Sequence, residues 1–254
     1  MGKIIKNAFV IFLLLILSAS TALLVYLHFF VPEEGDLSGE WTAGLDMTQQ
    51  AAVSALGWLQ DIEAVSVSLE DMEPYMQELT VQVDMSLEQT GPSEGTFRCH
   101  VVQESYDACR QAAYEDFAAV FLDLLTERLH MAGYTGSTDR EAVEALVTET
   151  FGMSAVSYLM ACGPALLPSL EDLQAQFDSS GTYEAAEDVL SRRVDSGGAV
   201  VTEEEYYIRK DSTLILSGKI GVDSSGLFSD YYPVIYILKQ SSGEPSSDQQ
   251  IPDQ

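Results

Sequence analysis

From Glu78 to Glu88, apolar and polar residues alternate without a slip. Leu79, Val81, Val83, Met85 and Leu87 fall on one side, and Thr80, Gln82, Asp84 and Ser86 on the other. Unbroken period two is the mark of a strand with one dry and one wet face, and sheets with a wet face are antiparallel. The turn from Thr90 to Gly95 leads into a second alternating run, Thr96 to Gln103, so the two predict a long hairpin. Upstream, Trp41, Ala43, Leu45 and Met47 alternate in the same way, and Thr48 then caps a short helix with Ala51, Ala52, Leu56 and Leu59 on one side.

After Gln103 the period changes. Tyr106, Cys109, Ala113, Phe117, Val120, Phe121, Leu124 and Leu129 follow three-and-four spacing, which predicts a helix from a Ser105 cap to Met131, with Gly133 in the left-handed position beyond its end. Thr138 with Glu141 reads as a capping box for a second helix that turns Val143, Leu146 and Val147 inward. Ser169 with Asp172 opens a last one through Phe177. Strand signals return at Gly181-Thr182-Tyr183. Tyr206–Arg209 and Thr213–Ser217 form a hairpin, and Tyr231 to Gln240 closes the fold as an apolar strand. Strands, then helices over about 104–178, then strands again predict an α+β domain, 39–240. Its frame is an antiparallel β-barrel or strongly curved sheet with an inserted helical block.

Gly39-Glu40-Trp41 at the first strand, the hairpins that follow and a last strand ending in Lys239 resemble the lipocalin-like (calycin) barrels. The start of the chain and its Tyr232-Pro233 strand are also similar to membrane-anchored proteins of Gram-positive gut bacteria. The resemblance implies that Trp41 plugs one end of the barrel, behind Gly39, and that Lys239 is the basic side chain lying across its ring in a cation–π contact. The helical block departs from ordinary lipocalins, and such helices fill or cap the cup that holds a ligand in those folds.

Residues 8–31 contain no Asp, Glu, Lys or Arg, and a helix of that length spans a hydrocarbon core of about 30 Å. Lys3 and Lys6 precede the segment, while Glu33, Glu34 and Asp36 follow it. The positive-inside rule then leaves residues 1–7 as a cytoplasmic stub and places everything beyond Val31 outside the cell membrane. Cleavage after the small residues Ser18-Ala19-Ser20 would leave an apolar new amino terminus, so the segment is expected to be a single-pass signal anchor rather than a cleaved signal. Residues 32–38 form an acidic linker, and the Ser/Gln/Pro-rich tail 241–254 lacks the apolar residues to fold. Thr150 to Leu170 is also uncharged, but Gly163-Pro164 and the acidic flanks Glu149 and Glu171 point to a buried helical insert rather than a second span.

The chain of 254 residues carries 12 Lys+Arg against 40 Asp+Glu, a formal net charge of −28. A surface this acidic repels nucleic-acid phosphates, which excludes a nucleic-acid partner, and for the same reason it does not grip anionic headgroups through its net charge. Gly91-Pro92-Ser93-Glu94-Gly95 matches the spacing of a nucleophile elbow, but it joins two alternating strands instead of a strand and a helix, and turn chemistry explains it. His28 lies in the membrane segment, His100 on a wet strand face and His130 at a helix end. None has the spacing of a metal ligand, so no metal and no cofactor is expected. Cys99, Cys109 and Cys162 allow one disulfide, Cys99–Cys109 or Cys109–Cys162, although the first two sit on apolar faces as ordinary buried thiols would. Glu203-Glu204-Glu205 and the stretch 223–230 lack the ligand pattern of a calcium loop and read as a solvated acidic edge.

With no nucleophile–base pair or metal set, catalysis is not expected. The sequence predicts a membrane-anchored extracytoplasmic module that binds a small apolar ligand or a partner protein. The alternative is a surface interaction module whose barrel is filled and holds no ligand.

Overall fold

A computed structural model describes residues 36–61, 67–196, 199–218 and 231–239. The stub, the anchor 8–31, His28, the acidic stretch 223–230 and the tail 241–254 lie outside the described residues. Eight strands form a closed antiparallel barrel in which each pairs with the next in sequence and the last pairs with the first. They are β1 Gly39–Asp46, β2 Thr80–Gln89, β3 Glu94–Val101, β4 Ser179–Ala186, β5 Val189–Ser196, β6 Ala199–Lys210, β7 Thr213–Gly218 and β8 Val234–Leu238. Closure runs through Trp41 opposite Leu238, Thr42 opposite Ile237 and Ala43 opposite Tyr236. Among the described residues each strand has a neighbour on both sides, so the sheet has no edge strand.

Because successive strands run in opposite directions, their connections alternate between the two ends of the barrel. Three tight hairpins share one end, at residues 90–93, 187–188 and 211–212. The opposite end carries both helical insertions. Between β1 and β2 lie α1 (Thr48–Asp61) and α2 (Leu69–Met72). Between β3 and β4 lie α3 (Gln103–Met131), α4 (Arg140–Phe151), α5 (Ala155–Cys162) and α6 (Leu170–Phe177). The helical block therefore gathers at one end, with α3 against β2, α4 and α5, and α6 against β3.

Local chemistry sets the helix ends. Gly133 takes φ +74° beyond α3, as its position predicts. Ser169 caps α6 by accepting from Asp172 N at 3.1 Å, also as read from the sequence. The cap of α4 is Asp139, one residue past the expected Thr138, with Oδ1 accepting from Ala142 N at 2.9 Å. Ser105 does not cap α3, which starts at Gln103. Its Oγ accepts from Gln82 N at 2.9 Å and so ties the helix to β2.

Thr150 to Leu170 is interrupted at Gly152 (φ +76°) and again at Gly163, and buries Ala155, Leu159, Leu166 and Leu167 in the core. Among the described residues no single helix is long and apolar enough to cross a membrane. The pair α4–α5, bent by 48°, meets that test by length and composition only. A ladder of rings ties this block together, with Trp58 edge-on to Phe117 at 5.7 Å, Phe121 against Tyr158 at 6.2 Å and Tyr158 against Phe151 at 4.3 Å.

The three cysteines are free thiols, Cys99 and Cys109 buried and Cys162 exposed. Burial pushes the thiol pKa of both Cys99 and Cys109 up to about 11. Thiolate is the reactive form, so iodoacetamide at neutral pH should label Cys162 alone until the protein is unfolded. Mass spectrometry showing a second labelled cysteine in the native protein would contradict this packing.

Candidate functional site

The residues named by the barrel resemblance meet at the hairpin end. Trp41 is fully buried, and its Nε1 donates to the carbonyl of Leu37 at 3.0 Å. Gly39 has φ +147°, and a Cβ there would lie 2.4 Å from Leu238 Cδ1, so only glycine allows the chain to fold tightly over the plug. The cation found over the Trp41 ring is Arg209, 5.9 Å from its centroid, in the place expected for Lys239. The reason is strand parity. Val234, Tyr236 and Leu238 point into the barrel, so Lys239 follows on the outward side, where its Nζ pairs with Asp84 Oδ2. Arg209 lies on the inward side of β6, and its guanidinium also donates to the carbonyl of Asp36.

The opposite end is closed by the segment leading into β8. Tyr231 packs edge-on to Phe177 of α6 at 5.4 Å. Tyr232, joined to Pro233 by a cis peptide, reaches inward and donates its hydroxyl hydrogen bond to Glu205.

Between the two plugs the bore holds an ionic cluster. On β5, Leu190, Arg192 and Val194 point inward. On β6, Glu203, Glu205, Tyr207 and Arg209 do so, with Arg192 opposite Glu203 and Leu190 opposite Glu205. The Arg192 side chain is fully buried. Its Nη2 lies 2.7 Å from Glu205 Oε2 and 3.8 Å from Glu203 Oε2. The guanidinium also stands over the Phe97 ring at 5.5 Å. Cys99 Sγ and the Tyr236 hydroxyl, 3.9 Å apart, form the neighbouring wall.

The electrostatics follow from dryness. Burial opposes the charge on Arg192, and the carboxylates of Glu205 and Glu203 more than offset it, so the guanidinium stays charged. Burial, reinforced by Glu205, drives the Tyr232 phenol well above its ordinary value, and burial does the same to Tyr236. All three acidic groups of the cluster wall (Cys99, Tyr232 and Tyr236) are thus held protonated.

The other residues singled out from the sequence stand apart from this cluster. Ser93 lies in the β2–β3 hairpin, where Thr90 N and Gly91 N both bond Glu94 O. It lines a recess with Tyr183, Leu37 and Tyr207 that has room for a single water molecule. His100 is exposed on the outer face, 4.0 Å from Asp84, and His130 bonds Thr138 Oγ1 at 2.6 Å. Among the described residues no three His, Cys, Asp or Glu side chains are grouped to hold a metal ion.

Sequence reasoning missed Arg192 and Tyr232, and it assigned Glu205 to a solvated edge. The structure corrects that edge by splitting the triplet: Glu204 is exposed, while Glu203 and Glu205 face the bore. The signal available was the period-two run Leu190, Arg192, Val194, which places one of two adjacent arginines on an apolar face. Comparison with protein-family models, curated proteins and solved structures finds no match to this chain.

Removing one member of a buried ion pair strands the other charge. Arg192→Met should therefore lower unfolding stability by about 3–5 kcal/mol in denaturant titrations. A loss below about 1 kcal/mol would show the cluster to be hydrated rather than dry. The raised acids set a pH limit as well. A buried group whose folded pKa lies above its unfolded value contributes stability below the unfolded value and loses it as pH rises. For Cys99 that window runs from its ordinary 9.0 up to about 11, and the two tyrosines extend it above 10.0. The melting temperature should hold up to about pH 9 and then fall; a flat profile through about pH 10.5 would show that these groups are not held protonated by the fold.

Proposed function

We propose that this chain is a membrane-anchored extracytoplasmic interaction module of the lipocalin-like type, acting through its outer surfaces and not through a ligand in its bore. The observation that carries this reading is the filled interior. Among the described residues both ends are plugged, by Trp41 and by Tyr232, and the space between holds Arg192, Glu205, Phe97 and Tyr236 packed together. An apolar ligand placed there would have to displace packed side chains and strip the ion pair of its partners. Either change costs more than a small hydrophobic ligand returns. An ordinary lipocalin cup is the reverse, an open apolar cavity that a ligand completes.

The segment 8–31 supports the anchoring half of the reading, and the acidic surface suits a domain that must stay soluble beside a membrane. The helical block exposes the apolar side chains Met131, Tyr134, Phe151 and Met153 to a partner. Since it emerges opposite the end where the anchor joins β1, it is the part presented to other proteins.

Native mass spectrometry of the full chain, released from membranes in detergent and incubated with lipid and metabolite extract, tests the proposal. The expected result is the bare protein mass after detergent is stripped. A stoichiometric apolar adduct that persists in the wild type would overturn the filled-barrel reading and restore ligand binding.

A further inference from the structure

The outer wall formed by β6, β7 and β8 is unlike the rest of the surface. Ile208, Ile215 and Ile235 stand in one cross-strand row, and Ile237 follows on β8. Ile208 is 64% exposed, Ile235 51% and Ile237 47%. Lys210 and Lys239 lie at the hairpin-end margin of this patch, Lys239 with Asp84 as its partner. The outward positions of β6 from 206 onward, of β7 and of β8 hold no carboxylate, in a chain with 40 of them. A contiguous apolar flank on so acidic a protein is an interaction surface.

Where the chain leaves the barrel decides what that surface meets. The strand leading toward the anchor is pinned across the hairpin end up to Asp36. Ser38 Oγ accepts from Gln89 N at 2.9 Å, Leu37 is buried, and the Asp36 carbonyl is held by Arg209 of β6. Four residues separate Asp36 from Val31, and the five steps between them span no more than about 18 Å at full extension. The patch begins at that same end, since Ile235 is four residues from Lys239, about 13 Å along the strand.

We infer that the β6–β8 flank rests on the lipid surface into which the chain's own anchor inserts. The isoleucines enter the headgroup–acyl boundary, and Lys210 extends its ammonium group back to the phosphates, while Lys239 stays with Asp84. The inference rests on the membrane-anchored reading above. It also refines what net charge implies, because the grip is apolar and local and the remaining acids face water. With the barrel lying on its side, both its plugged hairpin end and its helical block sit at defined heights above the bilayer.

The test uses the full chain reconstituted in phosphatidylcholine–phosphatidylglycerol vesicles whose acyl chains carry bromine, a contact quencher of tryptophan. Ile235→Trp places a probe in the patch, and Thr96→Trp places one on the exposed face of β3 across the barrel. Emission from Trp41 and Trp58 is subtracted with the wild-type chain in the same vesicles. The expected result is loss of about half or more of the Ile235→Trp emission, with the Thr96→Trp emission nearly unchanged. Equal quenching at both positions overturns the inference while leaving the anchor in place. So does an unquenched, blue-shifted Ile235→Trp accompanied by a doubled molecular mass, which assigns the patch to a second copy of this chain. A chain that fails to float with the vesicles overturns the anchor itself and this inference with it.

Discussion

The barrel is organised around a single desolvated ion pair, Arg192 with Glu205. A guanidinium with no solvent exposure is tolerable only where carboxylates meet it and water is excluded from both. The first condition fixes how β5 and β6 pair. Their register sets Arg192 opposite Glu203 and Leu190 opposite Glu205. A one-residue slip of β5 would turn Arg192 out of the bore and Arg193 in, and the same slip of β6 would turn Glu203 and Glu205 out and Glu204 in; either unmakes the pair. The second condition requires two closed ends. Trp41 with Leu37 and Arg209 closes one, and Tyr232 with Tyr231 and Phe177 closes the other. Plugs, register and closure are in this sense consequences of one buried charge. An apolar trio in the same places would fill the space as well, but it would tolerate more than one alignment.

Much of the architecture is legible from periodicity. β1, β2, β3 and β7 alternate with apolar residues inward, and α3 to α6 follow helical spacing, with a readable start at Ser169 and a readable stop at Gly133. Those elements obey the ordinary rule that the apolar face is the buried one. β5 escapes such a reading because Ser191-Arg192-Arg193 interrupts the apolar pattern, and the alternation there is carried by an arginine. The register also explains the exchange at Trp41. The barrel resemblance places the basic residue over the plug on the last strand, but only odd-numbered positions of β6 and even-numbered positions of β8 face the bore. Hydrophobicity in a local window cannot report that parity, because it depends on which strand closes the barrel against which.

The meander itself separates two tasks. Odd-numbered connections, those after β1, β3, β5 and β7, leave at one end; even-numbered ones leave at the other. Insertions after β1 and β3 therefore collect together without any interaction having to bring them there. The amino-terminal segment enters at the hairpin end for the same reason, since β1 runs from that end toward the helices. An insertion after β2 or β4 would have emerged instead at the end where residues 36–38 lead into β1.

β6 shows why average composition is a poor guide to the surfaces of such a fold. Its inward positions are Glu203, Glu205, Tyr207 and Arg209, and its outward ones include Tyr206, Ile208 and Lys210. Charge is inside and isoleucine outside, the inverse of a half-wetted strand. The inversion is stable because each half has a partner: the carboxylates have Arg192 and Tyr232, and Ile208 has Ile215 and Ile235 beside it on the neighbouring strands. Glu203 and Glu205 count toward the net charge of −28, yet Arg192 offsets one of their two charges within the bore. The acidic excess of this chain is thus unevenly laid out. The β6–β8 wall is the side that the excess leaves uncovered, so the strand that brings two carboxylates to Arg192 also presents isoleucine outside.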